Sequence, residues 1–288
     1  MTVLRNLNHF ITLFLETFRQ FGRWRIWSLL AAYFAIQWII LYAHYDFLSP
    51  AFYGLVQAWL GLAQALGLIT GQERTVFGHY PGQFLVLPTI FGWARTLLGV
   101  IVEGLVLGMV ASMFRNIHLR SAREPELALS SVVKLWLHLA VIWVVINGII
   151  LVLNLFVPEL LKAWMIGSPR RQQVIEFIIM PGLHSLTLGL LFFAIPSVVL
   201  YREDAVRSMG RSVRLFLRRP FTSFFLAVAV LFLPILVASI ATRSQDIIAK
   251  FRPELVFWVL SAGLVLEMIA YFFWMGTSTR YLYDLVDE

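Results

Sequence analysis

The chain has 288 residues, 60% of them hydrophobic and only 14% charged, with a mean hydropathy of +0.80. So few polar side chains cannot clothe a water-facing surface of that size, which excludes a soluble enzyme domain. Aromatic residues at 15% exclude a disordered chain. Cysteine is absent, so disulfides, thiolate metal sites and cysteine nucleophiles are excluded as well. A formal charge of +7 would suggest nucleic acid in a soluble protein. In an apolar chain it points to basic loops meeting anionic lipid, with no nucleic-acid partner expected.

The fold class predicted is all-α: a polytopic bundle forming one integral membrane domain over residues 1–288. The first 25 residues carry Leu7, Phe10, Ile11, Phe14, Phe18 and Phe21 at intervals of one to four residues, mostly three or four. This apolar stripe predicts an amphipathic helix in the interface plane rather than a cleavable signal peptide. A hydrocarbon core takes ~20 apolar residues as helix. Six stretches meet that length, at about 26–45, 84–114, 135–157, 181–201, 221–241 and 255–275. Pro88 offers a break in the second, and Pro196 and Pro234 predict kinks in the fourth and fifth.

Residues 51–69 are uncharged but carry three glycines and two glutamines. They are read as an outer-leaflet or re-entrant helix, because a seventh span would reverse the charge bias. With six spans and both chain ends inside, most of the Lys and Arg residues fall on the cytoplasmic side. That predicts a bacterial inner-membrane protein with cytoplasmic termini.

Residues 202–219 form a second amphipathic segment. Val206, Met209, Val213 and Phe216 make an apolar stripe, opposed by Arg207, Arg211, Arg214 and Arg218. These arginines are the candidate headgroup contacts on the anionic inner leaflet, each contributing roughly 1 kcal/mol near it. A weaker third copy is read at 121–134. Together the three segments suggest a repeat of inner-face helix, outward span, outer loop and return span. Aligned on the closing arginines, Glu103 and Glu267 take matching places in the second and sixth spans.

Ionisable groups inside a span are costly and mark candidate sites. Glu103 and Glu267 lie at similar depth, and two readings stand for them: a proton-linked or cation site in one cavity, or hydrogen-bonded pairs that fix packing, with His138 or Asn147 as partners. Arg95 is expected to snorkel outward from a span that starts after Pro88, with an anion clamp shared with Arg170 and Arg171 as the alternative. His138 and His184 lack the converging ligands that a metal needs and read as packing residues. No metal or other cofactor and no catalytic constellation is expected. Gly104 and Gly108 match the small-residue pattern of close helix contact and are read as intramolecular.

The run Arg207-Ser208-Met209-Gly210-Arg211-Ser212-Val213-Arg214-Leu215-Phe216, followed by Arg218-Arg219-Pro220, resembles a broad class of bacterial proteins, as does the ending Thr277-Ser278-Thr279-Arg280-Tyr281-Leu282-Tyr283-Asp284-Leu285. These are six-span inner-membrane proteins related to the membrane domain that precedes some glycerophosphodiester phosphodiesterases. The resemblance covers the C-terminal third and implies an envelope or lipid-related role. The phosphodiesterase catalytic domain has no counterpart in these residues. The function expected is a non-enzymatic accessory or scaffold in envelope or lipid homeostasis, with membrane-protein partners or a second copy of the chain. The alternative is a proton- or ion-coupled transporter or channel that uses Glu103 and Glu267.

Overall fold

The computed structural model describes residues 2–118, 129–166, 168–241 and 243–284, so most of the expected third amphipathic copy at 121–134 lies outside the described residues. All regular structure described is helical. In chain order it comprises α1 (Thr2–Arg19), α2 (Trp24–Tyr45), α3 (Pro50–Ala65), α4 (Gly71–Phe77), α5 (Gly82–Leu98), a π-helical turn (Gly99–Glu103) and α6 (Gly104–His118). There follow α7 (Leu129–Val133), α8 (Trp136–Leu160), α9 (Lys162–Met165), α10 (Pro169–Val174), a second π-helical turn (Ile175–Ile179), α11 (Met180–Leu191) and α12 (Ala194–Tyr201). The chain closes with α13 (Ala205–Arg218), α14 (Pro220–Ala241), α15 (Ser244–Lys250) and α16 (Leu255–Asp284).

Five helices are long and apolar enough to cross a membrane: Trp24–Tyr45, Gly82–Ile117, Trp136–Leu160, Arg170–Tyr201 and Leu255–Asp284. A sixth counts if the two halves of α14, bent about Pro234, form one span. The protein is therefore a multi-pass helical membrane protein by length and hydropathy. The boundaries differ from those expected. The second and fourth spans are 36 and 32 residues long, the second running through the π-helical turn at Gly99–Glu103 and the fourth starting before Pro181 and including the π-helical turn at Ile175–Ile179. Pro88 sits inside α5 without ending it. α3 has 16 residues, fewer than a crossing needs.

Two compact units divide the chain: Met1–Leu30, Val100–Phe232 and Ile269–Glu288 make the first, Ala31–Gly99 and Leu233–Met268 the second. The first is built on small residues that admit a neighbouring helix. A Cβ on Gly104 would lie 2.7 Å from the Leu139 carbonyl oxygen, and one on Gly108 would lie 2.6 Å from a Leu139 methyl. The pair thus seats α6 against α8, the intramolecular contact that the sequence pattern predicts. Gly276 plays the same part for α16, where Thr17 of α1 and Phe114 of α6 occupy the space of a side chain. Around it Phe272 receives Trp27 face to face at 4.7 Å, with Phe21 and Phe114 on its edges.

In the same unit the fourth span breaks at Phe192–Phe193, between α11 and α12. The cause is Pro196: it has no N–H for the Phe192 carbonyl four residues back, and its ring crowds that oxygen. Apolar surroundings make bare backbone groups expensive, and each here has found a partner. The Phe192 carbonyl accepts from the Trp274 indole N–H at 2.9 Å. The Phe193 N–H donates to Ser212 Oγ at 3.1 Å, and that hydroxyl donates on to the Leu190 carbonyl at 2.7 Å. The first π-helical turn is treated likewise: the Ile101 carbonyl accepts from the Trp136 indole at 2.6 Å.

The second unit is organised around Phe257, which meets Tyr45 at 4.4 Å and also contacts Trp38 and Tyr42, while Tyr45 contacts Phe84. Gln83 ties α5 to the end of α2 by donating to the Tyr45 carbonyl at 3.4 Å. A capping box of Thr70 and Glu73 starts α4, and Ser244 of α15 donates to the Leu85 carbonyl at 3.0 Å.

Candidate functional site

Two sets of residues carry charge in places that demand an explanation. The first is inside the spans. Glu103 closes the first π-helical turn, is 1% exposed, and accepts a hydrogen bond from the Tyr271 hydroxyl within the first unit. Glu267 belongs to the second unit and forms an ion pair with Arg95, the two side chains being 15% and 28% exposed. Glu103 thus meets a tyrosine hydroxyl, and Glu267 a guanidinium. Because α5 runs unbroken through Pro88, Arg95 stands thirteen residues past Gly82, ~20 Å along the helix, and meets a carboxylate.

Tyr271 was not singled out from sequence. Its signal was the spacing Glu267–Tyr271 on one helix, one turn apart and hence on one face. His184 Nε2 donates to Asn154 Oδ1 at 2.9 Å, which joins α11 to α8. His138, on the first turn of α8, is half-buried. Neither histidine approaches Glu103 or Glu267 in any contact described. Among the described residues no group of three or more His, Asp or Glu side chains is placed to hold a metal.

The second set is α13. Asp204 caps it, accepting from the Arg207 backbone N–H at 2.9 Å. That hydrogen bond is the main reason the Asp204 carboxyl is held below the usual carboxylate range, with the Arg207 charge assisting against some desolvation. Three faces run along the helix. Ala205, Ser208, Ser212 and Phe216 are buried against the first unit, and Gly189 of α11 leaves room for the Phe216 ring 3.3 Å from where its Cβ would be. Val206 and Leu217 are exposed on one flank, continuing into Phe221 at the start of α14. Arg207, Arg214 and Arg218 are exposed on the other.

This geometry adjusts the stripe read from the sequence. Of Val206, Met209, Val213 and Phe216, only Phe216 is buried in protein, and a third face, of Ala205, Ser208 and Ser212, makes the protein contact with it. Arg211 also departs from its row. Its Nε donates to Glu203 at 3.1 Å, and the guanidinium lies over the Tyr201 ring at 4.1 Å. Three arginines rather than four thus stand open on this face. A separate cluster joins α1 to α16, where Arg280 bridges Glu16 and Asp284 at 3.0 Å each.

No protein-family model, no curated protein and no solved structure matches this chain.

Proposed function

We propose that the protein is a non-enzymatic accessory or scaffold of the bacterial inner membrane, acting in envelope or lipid homeostasis, with six spans and both termini cytoplasmic. The observation that carries the reading is the three-faced form of α13. Its buried face fixes the helix to the protein, its exposed apolar flank suits an acyl-chain boundary, and Arg207, Arg214 and Arg218 stand where phosphate oxygens of an anionic leaflet would meet them. The resemblance of residues 207–220 and 277–285 to the membrane domain of glycerophosphodiester phosphodiesterases supports the same direction. Accessory membrane proteins, or a second copy of the chain, are the protein partners this role calls for.

The test is lipid retention. The wild-type chain, extracted gently and analysed by native mass spectrometry, should keep anionic phospholipids, and a triple variant Arg207→Gln, Arg214→Gln, Arg218→Gln should lose most of them while eluting as a monodisperse species. Equal retention by the variant refutes the reading. Because the chain has no cysteine, a single cysteine in place of Arg214 reports topology directly, and a membrane-impermeant thiol reagent should reach it only after cells are opened.

Transport is the second reading, and the Arg95–Glu267 pair is what favours it, since a charged pair deep in an apolar helix is a usual mark of a polar pathway. Glu103 supports it less, being enclosed with a tyrosine hydroxyl.

A further inference from the structure

The four arginines of α13 do not make one even row once their neighbours are counted. Arg211 is engaged by Glu203 and by the Tyr201 ring. Arg207 is exposed, but its Nε stands 3.3 Å from Asp204 Oδ2, so an anion arriving there meets a carboxylate as well as a guanidinium. Arg214 and Arg218 are exposed and make no ion pair among the described residues. Four residues apart, they are neighbours on one side of the helix, with Cβ atoms ~6 Å apart. Arg207 stands two turns from Arg214, ~10 Å along the axis. The fold therefore divides the row into one partly answered arginine and one adjacent pair.

The second observation is the place of that pair. α13 ends at Arg218 and α14 starts at Pro220, so the two guanidinium groups stand at a corner where an interfacial helix meets an apolar one. Leu217 is exposed before the corner, and Phe221 and Phe225, one turn apart on α14, are exposed after it. Ala229, exposed as well, carries the same side on by another turn. An apolar track of ~12 Å thus begins where the charge ends. A free phosphate has no use for such a track. A lipid has, because its phosphate and its acyl chains leave one glycerol.

We infer that Arg214 and Arg218 form a site for a membrane lipid that carries two phosphodiesters in one headgroup, with one phosphate on each guanidinium and acyl chains along Leu217, Phe221 and Phe225. The charges balance, two cations against two monoanions. Each guanidinium holds its phosphate through two parallel N–H···O bonds, which a planar fork allows. A lipid with one phosphate fills either place, but the second contact then needs a second molecule. Joining both phosphates in one headgroup makes the second contact intramolecular, and such a link raises affinity by ~10²–10⁴ where both ends engage. The inference rests on the reading of α13 as a lipid-binding helix and narrows it from anionic lipid in general to a two-phosphate class.

The full chain in detergent is titrated by native mass spectrometry with dioleoyl phosphatidylglycerol, which has one phosphate, and with tetraoleoyl diphosphatidylglycerol, which has two. The two-phosphate lipid should bind about tenfold or more tighter. Arg214→Gln and Arg218→Gln should each cut that preference to about twofold or less, since one phosphate then loses its partner. Arg207→Gln should leave the preference unchanged. All three side chains are exposed, and monodisperse elution shows that each variant has folded. The deacylated headgroup of the two-phosphate lipid should not displace the lipid.

The two lipids differ in chain number as well as in phosphate number, and the variants separate the causes. A preference that survives in both Arg214→Gln and Arg218→Gln comes from the chains and overturns the proposal. A preference lost equally in Arg207→Gln overturns the pairing of Arg214 with Arg218. Displacement by the deacylated headgroup makes this a site for a soluble diphosphate and overturns the lipid assignment. Equal binding of the two lipids, lost together when the arginines are replaced, overturns this inference and leaves the broader lipid reading of α13 standing. Retention of neither lipid overturns both.

Discussion

The fourth span and α8 belong to the same unit and are both apolar, yet over an apolar window of 18 residues 72% of the one is buried in protein against 17% of the other. Hydropathy does not separate them, because lipid and protein interior are equally apolar. What separates them is the nature of the side chains. The buried span carries Ser185, Thr187, Gly189, Pro196 and Ser197, which allow close approach or need partners. α8 turns Leu137, Val144, Val152, Leu155 and Phe156 outward, bulky groups that ask nothing of a neighbour. Small and hydroxyl-bearing residues mark the protein-facing helix, and large aliphatic ones mark the lipid-facing helix.

The sharpest break of that contrast is a pair of truncations. Phe193 is fully buried and stacks on Tyr281 at 5.0 Å, so Phe193→Ala should open a cavity and cost about 3 kcal/mol. Leu155→Ala on α8 should cost less than about 0.5 kcal/mol. Reversible unfolding in mixed micelles measures both, and equal losses would erase the distinction. Next in size is Ser212→Ala, which strips the hydroxyl from the break in the fourth span and leaves the Phe193 N–H bare. A loss of about 1–3 kcal/mol is expected, and Ser212→Thr should recover part of it.

The smallest effect concerns Asp204. Its folded carboxyl titrates below its unfolded value, so the cap's contribution is present above the ordinary carboxylate range, near pH ~4, and is lost as pH falls through the lowered value. The melting temperature should therefore fall on acidification more in wild type than in Asp204→Asn, which keeps a capping oxygen without the charge. Parallel curves would remove Asp204 from the account.

Much of the architecture was legible in the sequence. Runs of apolar residues give the spans, Pro196 gives the break four residues after the carbonyl it leaves unmatched, and Gly104 with Gly108 gives the α6–α8 contact. Legibility failed where a partner lies far along the chain. Nothing local to Arg95 announces Glu267, 172 residues away, or to Glu103 announces Tyr271. It failed too on α13, where the apolar and basic stripes were read but not the third face: Ser208 and Ser212 face the protein because small side chains pack closer, while Val206 and Leu217 stay exposed. Pro88 offered a break in the sequence, and α5 continues through it from Gly82 to Leu98.

Ser212 has a consequence for the surface of the protein. It is a residue of α13, and its oxygen is held at both ends by backbone atoms of the fourth span. Turning α13 by one residue would swing that oxygen through ~100° and strand both atoms. The compass bearing of Arg207, Arg214 and Arg218 is thereby locked from within, by a hydroxyl on the opposite, buried face of the helix.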